Sequence, residues 1–186
     1  MNLPFFTIGH STRPLPEFIG LLRENAINTL VDVRSIPRSR TNPQFNQDTL
    51  PASLSADAIA YVHSPALGGR RGKRNTDSPS PNAYWTHPAF RNYADYALSE
   101  PFRDALQDLL DLGHAQRCAI MCSEAVWWRC HRRIVADYLL ARGETVLHIM
   151  GAHQVTHATL TLHALPQSDG TVIYPESSPK AGAMPN

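Results

Sequence analysis

Apolar residues along this chain occur in short continuous runs that are separated by stretches with helical spacing. The runs predict five buried strands, which cover residues 5–8, 29–33, 59–63, 118–122 and 145–149. The helical spacing predicts four helices, over residues 15–26, 88–98, 102–112 and 127–141.

The alternation of these elements predicts the fold class. Strands that are apolar on both faces and alternate with helices form parallel sheets covered on both sides. We therefore expect a single α/β domain over residues 1–175. Its sheet should be mostly parallel with helices on both faces, in a Rossmann-like three-layer arrangement. Residues 176–186 are expected to form a flexible tail.

Two stretches have no regular pattern. Residues 36–51 contain three prolines and could partly cover a site. Residues 70–82 are rich in Arg, Ser, Pro and Gly, and we expect them to be mobile until a ligand orders them.

Polar clusters follow the first four strands where each strand ends. The clusters contain His10 and Ser11, then Arg34 and Arg38, then Gly68, Gly69, Arg70 and Arg71, and last Cys122 and Glu124. Ligands of open α/β folds bind beyond the carboxyl ends of the strands. The sequence therefore predicts one site where these clusters converge.

The segment from Cys118 to Arg133 contains the widest range of reactive side chains. It brings thiol, carboxylate, imidazole and guanidinium groups to a strand-to-helix junction through Cys122, Glu124, Cys130 and His131. A helix N-terminus at such a junction favours anions and thiolates.

Each candidate residue has a functional and a structural interpretation. Glu124 could move protons, or its carboxylate could cap the next helix. Asp32 lies within an apolar strand, where it could orient a catalytic group together with His10 or simply pair with Arg34. Ser11 could contact a substrate or cap a helix.

The cysteines leave three possibilities open. Cys122 could be a nucleophile at a strand end. Alternatively, Cys122, Cys130 and His131 could bind zinc or another transition metal. Cys130 also has helical spacing with Ile134 and Tyr138, so it could be a packed thiol whose loss mainly destabilises the fold. No G-x-G-x-x-G motif follows the first strand, and we expect no other cofactor.

Composition and charge limit the classes of binding partner that we expect. Hydrophobic residues make up 42% of the chain, and the formal net charge is +1. Residues 34–74 nevertheless contain seven Lys or Arg and two acidic residues, which favours an anionic small molecule or a nucleic acid. If Arg34 and Arg70 are exposed, replacing them should weaken anion binding, mostly at low salt, without changing stability. No membrane span or signal peptide is evident, and three cysteines are typical of a cytoplasmic protein.

Taken together, the motifs resemble domain-of-unknown-function family 488. They are Thr7–Ser11, Asp32–Arg34 with Pro37 and Ser39, Leu67–Gly69, Cys122 with Glu124, Cys130–Arg132, His148–Ile149, His157 and Gly170–Pro175. Val126 and Trp127 stand where the family often has an acidic residue and a proline. The resemblance implies a compact α/β domain with a polar site built from these motifs, which include Cys130, His131 and Arg132.

The function expected from these observations is enzymatic. The substrate would carry a phosphate, as a nucleotide or nucleic acid does, and the reaction would be that of a hydrolase or transferase. Arg34, Arg38, Arg70 and Arg71 would bind the phosphate because guanidinium groups match its geometry. The alternatives are a cysteine-based transferase or phosphatase, a metal site, and a non-catalytic binding module.

Overall fold

The computed structural model describes residues 3–73 and 79–176. The expected tail therefore lies outside the described residues except for Glu176. The predicted mobile stretch at 70–82 is described only in part.

The centre of the molecule is a six-stranded sheet. Its strands are β1 (Phe5–Gly9), β2 (Thr29–Asp32), β3 (Ala60–His63), β4 (Cys118–Cys122), β5 (Val146–Gly151) and β6 (Gln154–His157). Their order is β3-β2-β4-β1-β5-β6; β1 to β5 run parallel, and β6 pairs antiparallel with β5. A separate two-stranded sheet contains β7 (Leu165–Pro166) and β8 (Val172–Ile173). The prediction of a mostly parallel sheet is confirmed.

Helices connect the parallel strands. They are α1 (Leu15–Glu24), α2 (Leu50–Ser55), α3 (Pro88–Tyr96), α4 (Glu100–Ala115) and α5 (Arg132–Ala141). Short 3₁₀ turns occur at Pro43–Phe45, Pro65–Leu67 and Trp127–Arg129.

Two apolar cores lie on opposite faces of the sheet. Successive strand residues point to opposite faces, so Phe5 packs into the core beneath α3, α4 and α5, whereas Phe6 and Ile8 pack beneath α1 and α2. Burying each such side chain contributes about 1.5–3 kcal/mol. The molecule therefore has the three layers that the sequence predicts, with β4 and β1 at the middle of the sheet.

The last predicted helix begins later than expected. Trp127–Arg129 form a 3₁₀ turn, Cys130 is extended (φ −122°, ψ 147°), and α5 starts only at Arg132. Cys130 therefore precedes the helix and does not belong to the stripe of Ile134 and Tyr138. The helix ends as predicted before Gly143, whose φ of +81° suits a residue without a Cβ.

Backbone hydrogen bonds continue the sheet beyond the ends of its strands. The amides of His10 and Ser11 donate to the carbonyls of Cys122 and Ser123, both at 3.0 Å, and Val33 donates to Met121 at 3.0 Å. The segments that leave β1, β2 and β4 are therefore fixed to one another at the carboxyl edge.

Candidate functional site

A cavity of about 540 Å³ opens at the carboxyl ends of the parallel strands. Ten residues of the predicted site line it: His10, Ser11, Arg34, Arg38, Gly69, Arg70, Cys122, Glu124, Cys130 and His131. The structure thus brings together clusters that are far apart in sequence, at the edge where ligands bind in this type of fold.

Four other predicted residues lie outside the cavity lining. Asp32 and Arg132 are buried behind it. Gly68 is packed against Ser35. The Arg71 guanidinium donates to the carbonyls of Pro65, Ala66 and Gly68, and it lies 3.7 Å from the centre of the Tyr96 ring. These contacts indicate that Arg71 holds its own loop together.

The floor of the cavity is a cluster of two thiols and an imidazole. The sulfur atoms of Cys122 and Cys130 and Nδ1 of His131 all lie within 4.8 Å of one another. His131 Nδ1 is 3.6 Å from Cys130 Sγ and 4.0 Å from Cys122 Sγ. The late start of α5 makes this cluster possible, because extended Cys130 points its side chain toward the end of β4.

Arg132 distinguishes Cys130 from Cys122. Its Nε donates to Cys130 Sγ at 3.3 Å, and its Nη2 donates to the Glu124 carbonyl at 2.5 Å. Burial would raise the pKa of the Cys130 thiol, but the hydrogen bond from Cys122 and the charge and backbone amide of Arg132 outweigh it and lower the pKa to about 6. The N-terminus of α5 supports the same thiolate.

Cys122 is the protonated partner. Its hydrogen bond to Cys130, followed by burial, raises the pKa of Cys122 to about 12. The expectation that Cys122 is the activated thiol is therefore not supported by the surroundings of the two sulfurs, which favour Cys130.

A buried ion pair lies under the cavity wall beside the thiols. The Asp32 carboxylate accepts hydrogen bonds from Arg34 Nε at 2.9 Å and Nη2 at 2.6 Å. It also accepts from Tyr61 Oη at 2.6 Å. Arg34 Nη2 donates to the Phe45 carbonyl at 2.6 Å, and only 6% of the Arg34 side chain is exposed. The arginine expected to be a free phosphate ligand is thus committed to internal contacts.

His10 is held in one neutral tautomer. Arg34 Nη1 lies 3.2 Å from His10 Nε2, which must accept because a guanidinium can only donate. His10 Nδ1 lies 2.8 Å from the Ser11 carbonyl and therefore carries the proton. Burial lowers the pKa of His10 to about 4, and the positive charge of Arg34 acts in the same direction. The ring also stacks on Phe45 at 4.3 Å.

Glycine is required at two close approaches. A Cβ on Gly9 would lie 1.9 Å from the Glu124 carbonyl oxygen. A Cβ on Gly69 would lie 2.4 Å from His131 Nδ1. Both distances are far shorter than van der Waals contact. These glycines therefore allow β1 and the loop around Gly69 to approach the thiol cluster.

The cavity rim carries guanidinium groups that have few internal partners. Arg70 and Arg129 are exposed, and neither guanidinium donates a hydrogen bond within residues 3–73 and 79–176. Arg38 makes only a 3.8 Å surface pair with Asp48, with both side chains exposed. The exposed Glu124 carboxylate also lines the cavity.

Sequence reasoning missed part of the lining. The missed residues are Thr12, Ser35, Ala89, Phe90, Ser123 and Arg129, whereas the lining residues Ile36, Ser39 and Asn42 belong to the stretch 36–51 that was expected to cover part of a site. Arg129 had a signal in its charge and in its place between the two thiols. Phe90 had none, because its sequence pattern is that of an ordinary helix residue.

The thiol cluster is also where a metal could bind. Two cysteine sulfurs and an imidazole nitrogen form a donor set that zinc uses, and no other cluster of three such donors occurs in the part of the chain that the structure describes. Of this set, the imidazole lacks the usual outer contact of a ligand histidine, since buried His131 Nε2 has no hydrogen-bond partner among the residues that the structure describes.

A protein-family model described as the domain of unknown function DUF488 matches residues 14–139. The chain belongs to the DUF488 family. The family resemblance inferred from the motifs is thereby confirmed, and the matched range contains Asp32, Arg34, Cys122 and Cys130. No curated protein and no solved structure matches this DUF488 chain. Within the residues described, none of its helices has the length and apolar character needed to cross a membrane.

Proposed function

We propose that the protein is a thiol-dependent enzyme, a transferase or hydrolase, that acts on a phosphate-bearing substrate such as a nucleotide or nucleic acid. One observation carries the proposal. The Cys130 sulfur lines the cavity within 3.3 Å of Arg132 Nε and 3.6 Å of His131 Nδ1. A thiol with such partners is available as a thiolate, the form that acts as a nucleophile.

The exposed arginines of the rim support the choice of an anionic substrate. Arg38, Arg70 and Arg129 line the same cavity as Cys130. Guanidinium groups bind phosphate oxygens in a bidentate manner. A phosphate at the rim would therefore place an adjacent electrophilic atom above the sulfur.

The proposed reaction has two steps. The Cys130 thiolate attacks the electrophilic atom, and the bond to the leaving group breaks with its electron pair on that group. Glu124 enters this step in its protonated form and supplies the proton that the leaving group takes up. Water or a second acceptor then attacks the enzyme-bound intermediate, returns its proton to Glu124, and releases the thiolate.

Asp32, Arg34 and His10 act as positioning residues in this scheme. Asp32 fixes the Arg34 guanidinium, and Arg34 in turn fixes the His10 ring against Phe45. The wall next to the thiols is therefore rigid before a substrate binds, which reduces the cost of orienting it.

The test measures ligand binding and turnover together. The reduced protein is screened against nucleotides, oligonucleotides and sugar phosphates by thermal shift, and the compounds that bind are assayed for product. We expect Cys130→Ser to abolish turnover, and Cys118→Ser, a change at a buried thiol outside the cavity, to retain it. Turnover that persists without Cys130 would contradict the mechanism, and binding with no turnover in any form would indicate a binding module.

A transition-metal site is the second candidate, favoured by the mutual approach of Cys122, Cys130 and His131 to within 4.8 Å. These three donors would leave a fourth position facing the cavity, as in catalytic zinc sites. Metal analysis of protein purified without chelators decides between the two. A stoichiometric metal that is lost equally in Cys122→Ser and Cys130→Ser would establish the metal site.

A further inference from the structure

The two thiols at the cavity floor differ from the third cysteine of the chain in accessibility and in having another thiol nearby. Cys122 and Cys130 are only 7% and 3% exposed, but both line the cavity, and their sulfurs lie within 4.8 Å of each other. Cys118 is on the same strand as Cys122, but it is fully buried and does not line the cavity. A small solvent-borne oxidant could therefore reach two thiols that are already neighbours.

The pair is also asymmetric in a way that suits sequential oxidation. Arg132 Nε donates to Cys130 Sγ at 3.3 Å, so a guanidinium group is hydrogen-bonded to one sulfur of the pair. Within the described residues, the further hydrogen-bonding neighbours of Cys122 Sγ are Ser123 Oγ at 3.9 Å and His131 Nδ1 at 4.0 Å. Oxidants attack the thiolate of such a pair, and the neighbouring thiol resolves the product.

We propose that Cys122 and Cys130 are a reversible oxidation site, which forms an intramolecular disulfide with a hydroperoxide as oxidant. In the first step the Cys130 thiolate attacks one peroxide oxygen. The O–O bond breaks, leaving a sulfenic acid on Cys130 and releasing hydroxide or alkoxide. In the second step the Cys122 sulfur attacks the Cys130 sulfur, and the S–O bond breaks. The departing hydroxyl takes the Cys122 proton and leaves as water.

Reduction of the disulfide restores the two thiols. A dithiol donates two electrons and two protons through a mixed disulfide, which returns both thiols and yields the oxidised dithiol. The two sulfurs have to approach from no more than 4.8 Å to about 2.05 Å. Cys130 can contribute to this approach because it lies in an extended link between a 3₁₀ turn and α5.

This inference goes beyond the proposed function, because it requires no phosphate substrate. The disulfide would remove the nucleophilic thiolate and would also protect Cys130 from irreversible oxidation to sulfinic acid. Oxidation and substrate turnover can therefore fail independently.

The experiment uses the full chain after reduction and removal of the reductant. The protein is treated with hydrogen peroxide, its free thiols are blocked with N-ethylmaleimide, and digested peptides are mapped by mass spectrometry. We expect a peptide that links Cys122 to Cys130, two fewer blocked thiols per chain, and full recovery of both thiols with dithiothreitol. Since this measurement is made on the unaltered protein, it does not depend on whether a variant folds.

Three variants refine the result. Cys118→Ser is the matched control and should form the same link at the same rate. In Cys122→Ser, Cys130 should proceed to sulfinic acid, which dithiothreitol does not reverse. In Cys130→Ser, peroxide consumption by Cys122 should fall at least tenfold. The inference is overturned if the link involves Cys118 or a second chain. It is also overturned if peroxide leaves both thiols free, or if a bound metal accounts for protection of the pair.

Discussion

At the scale of single residues, the surroundings of two neighbouring cysteines reverse the roles that their sequence positions indicate. Cys122 ends a strand, and this position in the sequence indicates it as the candidate nucleophile. Cys130 nevertheless has the Arg132 guanidinium at 3.3 Å and lies immediately before α5. A helix drawn from Trp127 would place Cys130 inside a turn and hide this difference.

The first prediction concerns the pH dependence of alkylation. The pKa of Cys130 is lowered to about 6 and that of Cys122 is raised to about 12. The rate of iodoacetamide labelling should therefore rise with a midpoint near pH 6 and reach a plateau by neutral pH. Peptide mapping should locate the label on Cys130. A midpoint in the range of an ordinary thiol would show that Arg132 does not activate this sulfur.

The second prediction concerns Arg132 itself. Arg132→Lys keeps the positive charge, but a single ammonium cannot reproduce both donations of the guanidinium, to Cys130 Sγ and to the Glu124 carbonyl. We expect the alkylation midpoint of Cys130 to move up by roughly one pH unit. Arg133→Lys is the control, because Arg133 Nε donates to Thr161 and not to the thiols. An unchanged midpoint in Arg132→Lys would mean that the hydrogen bond does not stabilise the thiolate.

The third prediction separates two arginines that the sequence grouped together. Arg34→Ala would leave Asp32 buried without its ion-pair partner, which should cost about 3–5 kcal/mol of unfolding free energy. The expectation of little change in stability applied to exposed arginines, and the burial of Arg34 means that this condition is not met. Arg70→Ala, at an exposed position, should leave stability within about 0.5 kcal/mol.

Chemical denaturation of both variants measures these changes. Arg70→Ala should also weaken binding of an anionic ligand more at low salt than at high salt. Comparable stability of Arg34→Ala and the parent protein would rule out an energetic role for the buried pair. Equal anion binding by Arg70→Ala and the parent would assign Arg70 to the solvated surface.

At the scale of elements, strands were easier to predict than the segments that connect them. The runs of apolar residues that form β1, β2, β4 and β5 give a direct signal, since a central parallel strand is apolar on both faces. The run that forms β3 also indicated a strand, but the prediction that it is buried was wrong, because β3 lies at the edge of the sheet and its residues are exposed or half-buried. Helix α2 was missed because Leu50–Ser55 is short and begins next to a proline. Strand β6 was missed because all four of its residues are exposed and show no alternation.

The position of the candidate site could be predicted from the strands, but the orientation of side chains on its loops could not. Clusters that follow parallel strands must meet at one edge, so most of the lining could be predicted. What could not be predicted was the direction of individual guanidinium groups. Arg34 and Arg71 turn inward to carboxylate and carbonyl partners, whereas the exposed Arg70 guanidinium donates to no described residue at the rim. Such choices depend on tertiary contacts that local sequence does not contain.

The fourth prediction tests the contact between the first strand and the thiol loop. In Gly9→Ala, the added Cβ would lie 1.9 Å from the Glu124 carbonyl oxygen, so the loop before Cys130 has to shift. We expect a loss of about 1–3 kcal/mol in unfolding free energy and a changed Cys130 alkylation rate. Gly20→Ala is the matched control: it lies in α1 with nothing within 4 Å of the new Cβ. It should stabilise by up to about 1 kcal/mol. Equal effects of the two substitutions would show that the close approach is not retained in solution.

At the scale of the whole molecule, two buried histidines make the stability of the fold depend on pH. His10 and His148 are both buried, and burial lowers the pKa of each from 6.5 to about 4. His148 lies against Thr7 Oγ1 at 2.7 Å and stacks on Trp127 at 4.4 Å. Both rings are therefore neutral in the folded protein at a pH where they are charged in the unfolded chain.

The fifth prediction follows from this linkage. Between pH 6.5 and about 4 the unfolded state binds more protons, so stability falls as the pH falls through this window. Each histidine contributes about 3 kcal/mol to the loss. Urea denaturation at a series of pH values measures the slope, which should be smaller in the His10→Gln and His148→Gln variants. A slope that neither substitution reduces would assign the acid sensitivity to other groups.

The hydrogen bonds that continue the sheet past its strand ends have a mechanical consequence. The backbone under the thiols belongs to the middle of the sheet through the bonds from His10, Ser11 and Val33 to the end of β4. The part of the cavity floor at the end of β4, around Cys122, therefore has no hinge of its own, and it cannot open without separating central strands. Any adjustment to the size of a ligand has to come from the link that contains Cys130 and from the side walls, at residues 36–42 and around Gly69 and Arg70. Ligands of different size are then distinguished by these segments, while the backbone position of Cys122 stays constant.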